Sequence, residues 1–177
     1  MARLTEDPLL GFARLLLAFI MGVMLFALIC TGIAAGAVLV MHNLVVEKMA
    51  AGGWQDPTIA AYALPVLLVL IGATLMFGYE FFKLLRRIAD SVRQGDPFIP
   101  ENADRLTRMG WIAVATQVAT IPLGSLAVYI ASLSPEGEMK VDVGLEGSGL
   151  ITILVLFILA RVFRHGAQMR AELEGTV

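Results

Sequence analysis

The sequence is poor in charged residues and contains a single cysteine. Charged residues make up 16% of the 177 positions and hydrophobic residues 58%, whereas soluble domains have roughly 25% charged residues. This composition excludes an ordinary soluble domain and indicates an integral membrane protein. Because Cys30 is the only cysteine, no disulfide bond can form within the chain.

Motifs for catalysis and for metal binding are also missing. The sequence has no Gly-rich phosphate loop, no nucleophile elbow and no HExxH pattern. Its two histidines are expected on opposite sides of the membrane, His42 at the outer end of the first span and His165 at the inner end of the fourth. A distance of about 30 Å then separates them, so they cannot share one metal ion or haem. We therefore predict that the protein is not an enzyme and that it binds no cofactor or metal.

Long uncharged stretches are the main feature that the sequence does contain. A transmembrane helix needs about 20 apolar residues, and the first stretch is too long to be the apolar region of a signal peptide. We predict an all-α polytopic membrane protein in which the whole chain, 1–177, forms one four-helix transmembrane domain. The four spans cover residues about 15–42, 58–80, 109–133 and 143–163.

The distribution of lysine and arginine predicts the orientation in the membrane. All but two of the 13 basic residues fall near the termini or in the loop at about 83–108, and only Lys48 and Lys140 fall on the other side. Positive residues concentrate in cytoplasmic loops. We therefore expect a multi-pass protein of a bacterial inner membrane, with both termini and the 83–108 loop in the cytoplasm.

The 83–108 loop is predicted to be a helical hairpin that extends the second and third spans into the cytoplasm. Gly95 and Pro97 are expected to end the first helix of this hairpin. Asn102 is the expected N-cap of the next helix, with Asp104 in its first turn, where the helix dipole favours an anion.

The third span contains the most polar residues expected at membrane depth, Thr116, Gln117 and Thr120. An interhelical hydrogen bond is the simpler interpretation of Gln117, and contact with a ligand is the alternative. In the first span, Gly32 and Gly36 stand four residues apart, a spacing that lets helices approach closely in lipid. We expect these two glycines to pack against other helices of the same chain, and a face for dimerisation is the alternative.

The C-terminal segment is predicted to continue the fourth span as an amphipathic helix. Its apolar face is expected to lie against the 81–92 helix of the same chain or against a partner. Four residues at helical spacing define this face: Val162, Gly166, Met169 and Leu173.

Charged pairs are expected to hold the helix ends together. Glu80, at the end of the second span, can pair with Arg161 or Arg164 of the C-terminal segment. Arg170 and Glu174 stand four residues apart and can pair within their own helix.

Two segments carry more specific motifs: VRQGDPFIPENADRLTRMGW at 92–111 and LARVFRHGAQMRAELEGTV at 159–177. The first contains G-x-P-F (95–98), and the second contains V-F-x-x-G (162–166) and a Glu174-to-Val177 ending. In these motifs the chain resembles a family of small bacterial four-helix inner-membrane proteins of unknown function. The resemblance implies a cytoplasmic partner, because family members are often encoded beside small helix-turn-helix regulators.

These observations favour a membrane-embedded regulatory or partner-binding module that acts through its cytoplasmic loop and C-terminal tail. Two alternatives remain: a small transporter or channel subunit with a pocket near Gln117, and a structural subunit of a membrane complex. The candidate partner surface consists of Gly95, Pro97, Phe98, Arg105, Phe163, Arg164, Gly166 and Glu174.

The expected partners are membrane lipid and a cytoplasmic helix-turn-helix regulator or another protein, and a homo-oligomer is left open. Direct binding of nucleic acid is not expected, although the 83–108 loop is basic. Acidic residues interrupt its positive charge, and contact with anionic lipid head groups accounts for the basic residues.

Overall fold

The computed structural model describes residues 8–135 and 147–174, and the regular structure in these ranges is entirely α-helical. Its five helices confirm the all-α prediction. They are α1 (Pro8–Val40), α2 (His42–Ala51), α3 (Pro57–Arg93), α4 (Pro100–Leu133) and α5 (Gly147–Glu174).

Four of these helices are long and apolar enough to cross a membrane, which confirms a polytopic membrane protein. Helix α3 has 37 residues, and at 1.5 Å per residue it is about 55 Å long, well beyond the roughly 30 Å of a bilayer core. The surplus length of α3 and α4 forms the two arms of the predicted helical hairpin. The candidate spans are Gly11–Val40, Pro57–Arg93, Pro100–Leu133 and Gly147–Glu172.

Helix α2 is an element that the sequence did not lead us to expect. The backbone departs from helical geometry at Met41, with φ −98° and ψ 24°, and a separate ten-residue helix follows. Helix α2 contains the charged residues Glu47 and Lys48 and buries none of its residues. The turn after it uses Gly53 at φ +79°, a conformation that favours glycine.

The described helices divide into two compact units. Unit 1 comprises residues 8–23, 77–115 and 147–174, and unit 2 comprises residues 24–76 and 116–135. Helices α1, α3 and α4 contribute to both units, and α5 belongs to unit 1 alone. The assignment of 1–177 to a single domain stays a prediction.

Unit 1 has a core in which α3, α4 and α5 meet. Residues spaced about one turn apart on α3 pack against it, including Phe81, Leu85 and Ile88, as expected for an amphipathic helix. Transfer of one leucine or methionine side chain from water into this core stabilises the fold by about 1.5–3 kcal/mol. The buried members are Leu84, Leu106, Met109, Leu156 and Ala160.

Unit 2 buries side chains of both α3 and α4, and Ile130 and Leu133 are the large ones among them. Ala60 and Ala61 of α3 are fully buried. The backbone N–H of Gln55 donates to the carbonyl of Leu133 at 3.0 Å.

The expectation that Gly32 and Gly36 pack against helices of the same chain is wrong. A Cβ atom added at either glycine would meet no heavy atom within 4 Å among the residues that the structure describes. In contrast, a Cβ at Gly72 of α3 would lie 3.6 Å from Leu28 Cδ1 of α1. In unit 2, α1 and α3 are therefore in contact at Gly72, and not at Gly32 or Gly36.

Most of the apolar surface of the spans is exposed. Large exposed side chains on α1 include Phe19, Phe26 and Ile33. Such faces are compatible with contact with lipid, which is as apolar as these side chains.

Candidate functional site

The hairpin between α3 and α4 is closed by a turn that needs glycine. Gly95 has φ +84°, in the left-handed region. Its N–H donates to the carbonyl of Val92 at 3.0 Å, and the N–H of Asp96 donates to the carbonyl of Ser91 at 3.3 Å. As predicted, the first hairpin helix ends just before Gly95.

Asn102 joins the two arms of the hairpin through its buried side-chain amide. Its Nδ2 donates to Ser91 Oγ at 2.6 Å and to the carbonyl of Pro97 at 2.8 Å. Its Oδ1 accepts from Arg105 Nη1 at 2.8 Å, and the same Arg105 nitrogen lies 3.3 Å from the carbonyl oxygen of Arg87. Because Asn102 is fully buried, this network fixes the relation of α3 to α4.

The predicted role of Asn102 as an N-cap is therefore wrong. Helix α4 begins two residues earlier, at Pro100, a residue that suits the first position of a helix because its missing N–H is not needed there. Asp104 consequently lies beyond the first turn, which contains Glu101 instead.

Helix α5 packs on the tip of the hairpin through Phe98. The Phe98 ring lies 5.2 Å from the Phe163 ring, centroid to centroid. A Cβ atom at Gly166 would lie 2.8 Å from Phe98 Cδ1, so the ring occupies the space that a side chain at position 166 would need. Two motifs that are about 70 residues apart in the sequence thus contact each other directly.

Two ion pairs accompany this contact. Arg164 Nη2 lies 3.3 Å from Asp104 Oδ1, and Arg170 pairs with Asp96 of the hairpin turn. These pairs join α5 to both the turn and the start of α4, in a part of unit 1 that is accessible to solvent.

The predicted partner of Glu80 was wrong. Glu80 accepts a hydrogen bond from Lys83 Nζ at 2.8 Å, within α3, instead of pairing with Arg161 or Arg164. Arg170 pairs with Asp96 of the hairpin turn. Its pairing with Glu174 stays a prediction, because the Glu174 side chain lies outside what the structure describes.

The predicted apolar face of α5 is not the face by which the helix packs on its own chain, and its contact with a partner, the other alternative, stays a prediction. Val162 and Met169 are about half exposed, and Gly166 packs against Phe98. The side chain of Leu173 lies outside the described part of the chain. The face that packs most closely consists of Leu156, Ala160, Phe163 and Ala167.

Six members of the candidate partner surface meet around the hairpin turn. We call this set the hairpin surface. Gly95 and Phe98 are exposed, Arg164 is exposed but paired, and the other three are partly covered. The Arg105 side chain instead donates a hydrogen bond to Asn102. Glu174 is the last residue of α5, and its side chain is outside what the structure describes. The hairpin surface comprises Gly95, Pro97, Phe98, Phe163, Arg164 and Gly166.

The candidate intramembrane polar site lies in unit 2. Thr120 Oγ1 donates to the carbonyl of Gln117 at 2.7 Å, within α4. Gln117 and Thr116 also have interaction partners. The polar groups of this site are thus engaged within the protein.

The two histidines have different surroundings. In unit 2, the His42 ring lies 4.2 Å from the Tyr62 ring, centroid to centroid. In unit 1, His165 lies on α5 beside Arg161 and Arg164. Across residues 8–135 and 147–174, no group of three or more His, Cys, Asp or Glu side chains is placed to hold a metal ion.

Comparison with known proteins assigns the chain to a family. The model of a family described as "Protein of unknown function (DUF2975)" matches residues 44–177. The chain belongs to this family. The DUF2975 match includes α2 to α5 and both motif segments, which confirms the resemblance to a family of unknown function. Neither a curated protein nor a solved structure matches the chain.

Unit 1 also contains a site that was not predicted from the sequence. A pocket between α4 and α5 is lined by Arg161, Arg164, His165 and Gln168, together with Thr107 of α4. The spacing of the α5 residues, at i, i+3, i+4 and i+7, is that of one helix face. A search for polar side chains at helical spacing could have found it.

Proposed function

We propose that the protein is a partner-binding module of the bacterial inner membrane and that its hairpin surface binds a cytoplasmic protein. The observation that carries this proposal is the exposure of Phe98. This aromatic side chain is 43% exposed at the tip of a hairpin whose two arms are joined by hydrogen bonds. Exposed aromatic residues often anchor protein interfaces, and an anchor that is already held in place loses little conformational freedom on binding.

The positions of the hydrogen bonds support this assignment. Asn102 fixes the hairpin, and ion pairs of Asp96 and Asp104 connect it to α5. A polar network of this kind defines one arrangement of the surface. Preorganisation is useful for binding, whereas simple anchoring in the membrane would not require it.

The charge distribution supports a cytoplasmic location for the hairpin surface. Of the 13 lysine and arginine residues, only Lys48 and Lys140 fall outside the segments that we assign to the cytoplasm. In this orientation both termini are also cytoplasmic, and α2 lies on the opposite side.

The proposed partner is a small helix-turn-helix regulator, which the family resemblance implies. The protein would hold this regulator at the membrane without contacting nucleic acid and without catalysing a reaction. This proposal rests on the hairpin surface and on the absence of catalytic motifs from the sequence.

Site-specific photo-crosslinking in native membranes tests the proposal. A photoreactive phenylalanine analogue at Gln94, an exposed position beside the turn, is expected to crosslink the co-expressed regulator. The same analogue at Gln55 is expected to give no adduct, because this position lies on the side that we assign away from the cytoplasm.

Two alanine variants make the test specific to the hairpin surface. Phe98→Ala is expected to lower the yield of the Gln94 adduct about tenfold or more, as loss of an interface anchor does. Trp111→Ala removes a more exposed aromatic, 63% accessible, from the same unit and is expected to leave the yield unchanged. Equal adducts from both crosslinking positions, or equal effects of the two variants, would contradict the proposal.

A further inference from the structure

The pocket between α4 and α5, which we call the interhelical pocket, has a lining of basic and polar groups. Its volume is about 460 Å³. Arg161, Arg164, His165 and Gln168 line it from α5, each an exposed side chain that can donate hydrogen bonds. Phe157 and Ala160 provide its apolar part.

The positive charge of this pocket is only partly neutralised. Arg164 is paired with Asp104 at 3.3 Å. Within the described ranges, no ion pair or hydrogen bond engages the side chains of Arg161, His165 and Gln168. One unpaired arginine and two unused donors therefore face a cavity that suits an anion.

Aromatic and apolar neighbours indicate the depth of the pocket. The Trp111 ring packs edge-on against the pocket residue Phe157, with centroids 5.7 Å apart, and Trp111 is largely exposed. Tryptophan is enriched at the interface between lipid and water. The position of Trp111 is thus consistent with a pocket at the level of the lipid head groups.

An exposed apolar stripe leads along α5 toward the basic residues. Ile151, Leu154 and Ile158 are all exposed, and residues 151, 158 and 165 recur every seven positions on one helix face. A molecule with a negative head and a hydrocarbon chain would match both parts: the head at Arg161 and His165, the chain along the isoleucines.

We propose that the interhelical pocket binds the phosphate head group of an anionic phospholipid, with Arg161 and His165 as its main contacts. Basic pockets between membrane helices are known to bind such head groups. The pocket shares Arg164 with the hairpin surface, but its main contacts, Arg161 and His165, are not members of that surface. Lipid binding and regulator binding can therefore be tested independently.

Quenching of Trp111 fluorescence by brominated lipids tests this proposal. The full-length chain, carrying Trp54→Phe so that Trp111 is the only tryptophan, is reconstituted in vesicles of phosphatidylcholine. Brominated phosphatidylglycerol is expected to quench Trp111 at a mole fraction about fivefold lower than brominated phosphatidylcholine does.

Two variants locate the binding. Arg161→Gln is expected to remove most of this preference, and His165→Gln part of it, without loss of folding, because neither side chain has an ion-pair or hydrogen-bond partner among residues 8–135 and 147–174. Arg108→Gln is the matched control, since Arg108 is exposed on α4, adjacent in sequence to the pocket residue Thr107, but does not line the pocket. It is expected to retain the preference.

Several results would overturn the proposal. Equal quenching by the two lipids would show that the pocket has no preference for an anion. An equal effect of Arg108→Gln and Arg161→Gln would show diffuse surface attraction instead of a site. Displacement of the brominated phosphatidylglycerol by glycerol phosphate at constant ionic strength would assign the pocket to a soluble anion. Loss of regulator crosslinking in Arg161→Gln, with no lipid preference in the parent chain, would assign it to the protein partner.

Discussion

Gly166 lies where the Phe98 ring leaves no room for a methyl group. An added Cβ would be 2.8 Å from Phe98 Cδ1, so alanine at this position must displace the ring. We predict that Gly166→Ala lowers the free energy of unfolding by about 1–3 kcal/mol, as overpacking usually does. Thermal unfolding of the purified chain in detergent measures the change.

Two comparisons make this prediction specific to the contact. Gly11→Ala, in α1 of the same unit, places its Cβ in open space and is expected to be neutral or slightly stabilising. In a Phe98→Ala background, Gly166→Ala is expected to cost much less, because contacting residues are not additive. Equal costs in both backgrounds would show that the ring does not set the requirement for glycine.

Asn102 is a second single residue on which the hairpin depends. Replacing it by alanine would remove one hydrogen bond each from Ser91 Oγ, the carbonyl of Pro97 and Arg105. We predict a loss of about 1–3 kcal/mol in the free energy of unfolding, detectable by thermal unfolding. Asn43→Ala, at an exposed position of α2, is the control and is expected to change stability little. Similar losses in both variants would contradict the proposed role of the amide network.

At the residue scale, the sequence identified the right residues more often than their roles. The motifs at 95–98 and 162–166 drew attention to Phe98 and Gly166, and these two residues do contact each other. Asn102 was expected to cap a helix because its residue type is common there. Its actual role depends on Ser91 of the other arm, and helix-capping preferences carry no information about such a contact.

Helix α5 is held to the hairpin by packing more than by its exposed ion pairs. Such pairs contribute about 0–1 kcal/mol each, and Arg164 and Asp104 are both largely exposed. We predict that Asp104→Arg, which places two positive charges together, destabilises unit 1 by no more than about 1 kcal/mol. The double swap Asp104→Arg with Arg164→Asp is expected to restore the loss in thermal unfolding. Failure of the double swap would mean that Asp104 acts through another contact.

At the scale of elements, helical periodicity predicted the α3 arm of the hairpin but not the packing face of α5. Phe81, Leu85 and Ile88 pack on the core, as a repeat of large apolar residues indicates. On α5 the buried positions include Ala160 and Ala167, whose small side chains give little hydrophobic signal. Close approach of helices favours small residues, so the contact of α5 with its own chain is made by a face that contains two alanines and was not predicted.

At the scale of the molecule, the long apolar stretches predicted four membrane-spanning helices, because about 20 consecutive apolar residues are enough for a helix to cross a bilayer. The break at Met41 that separates α1 from α2 has no such signal, since neither proline nor glycine marks it. The division into two compact units could not be predicted from the sequence either, because α1, α3 and α4 contribute to both of them.

The central claim is that the hairpin and the adjoining part of α5 form one surface in the cytoplasm. Thiol labelling tests it directly, because Cys30 is the only cysteine and a Cys30→Ala chain can receive new cysteines one at a time. We predict that Gln94→Cys resists a membrane-impermeant maleimide in intact spheroplasts and reacts after permeabilisation, whereas Gln55→Cys reacts in both. Labelling of Gln94→Cys in intact spheroplasts, with Gln55→Cys protected, would contradict the claim.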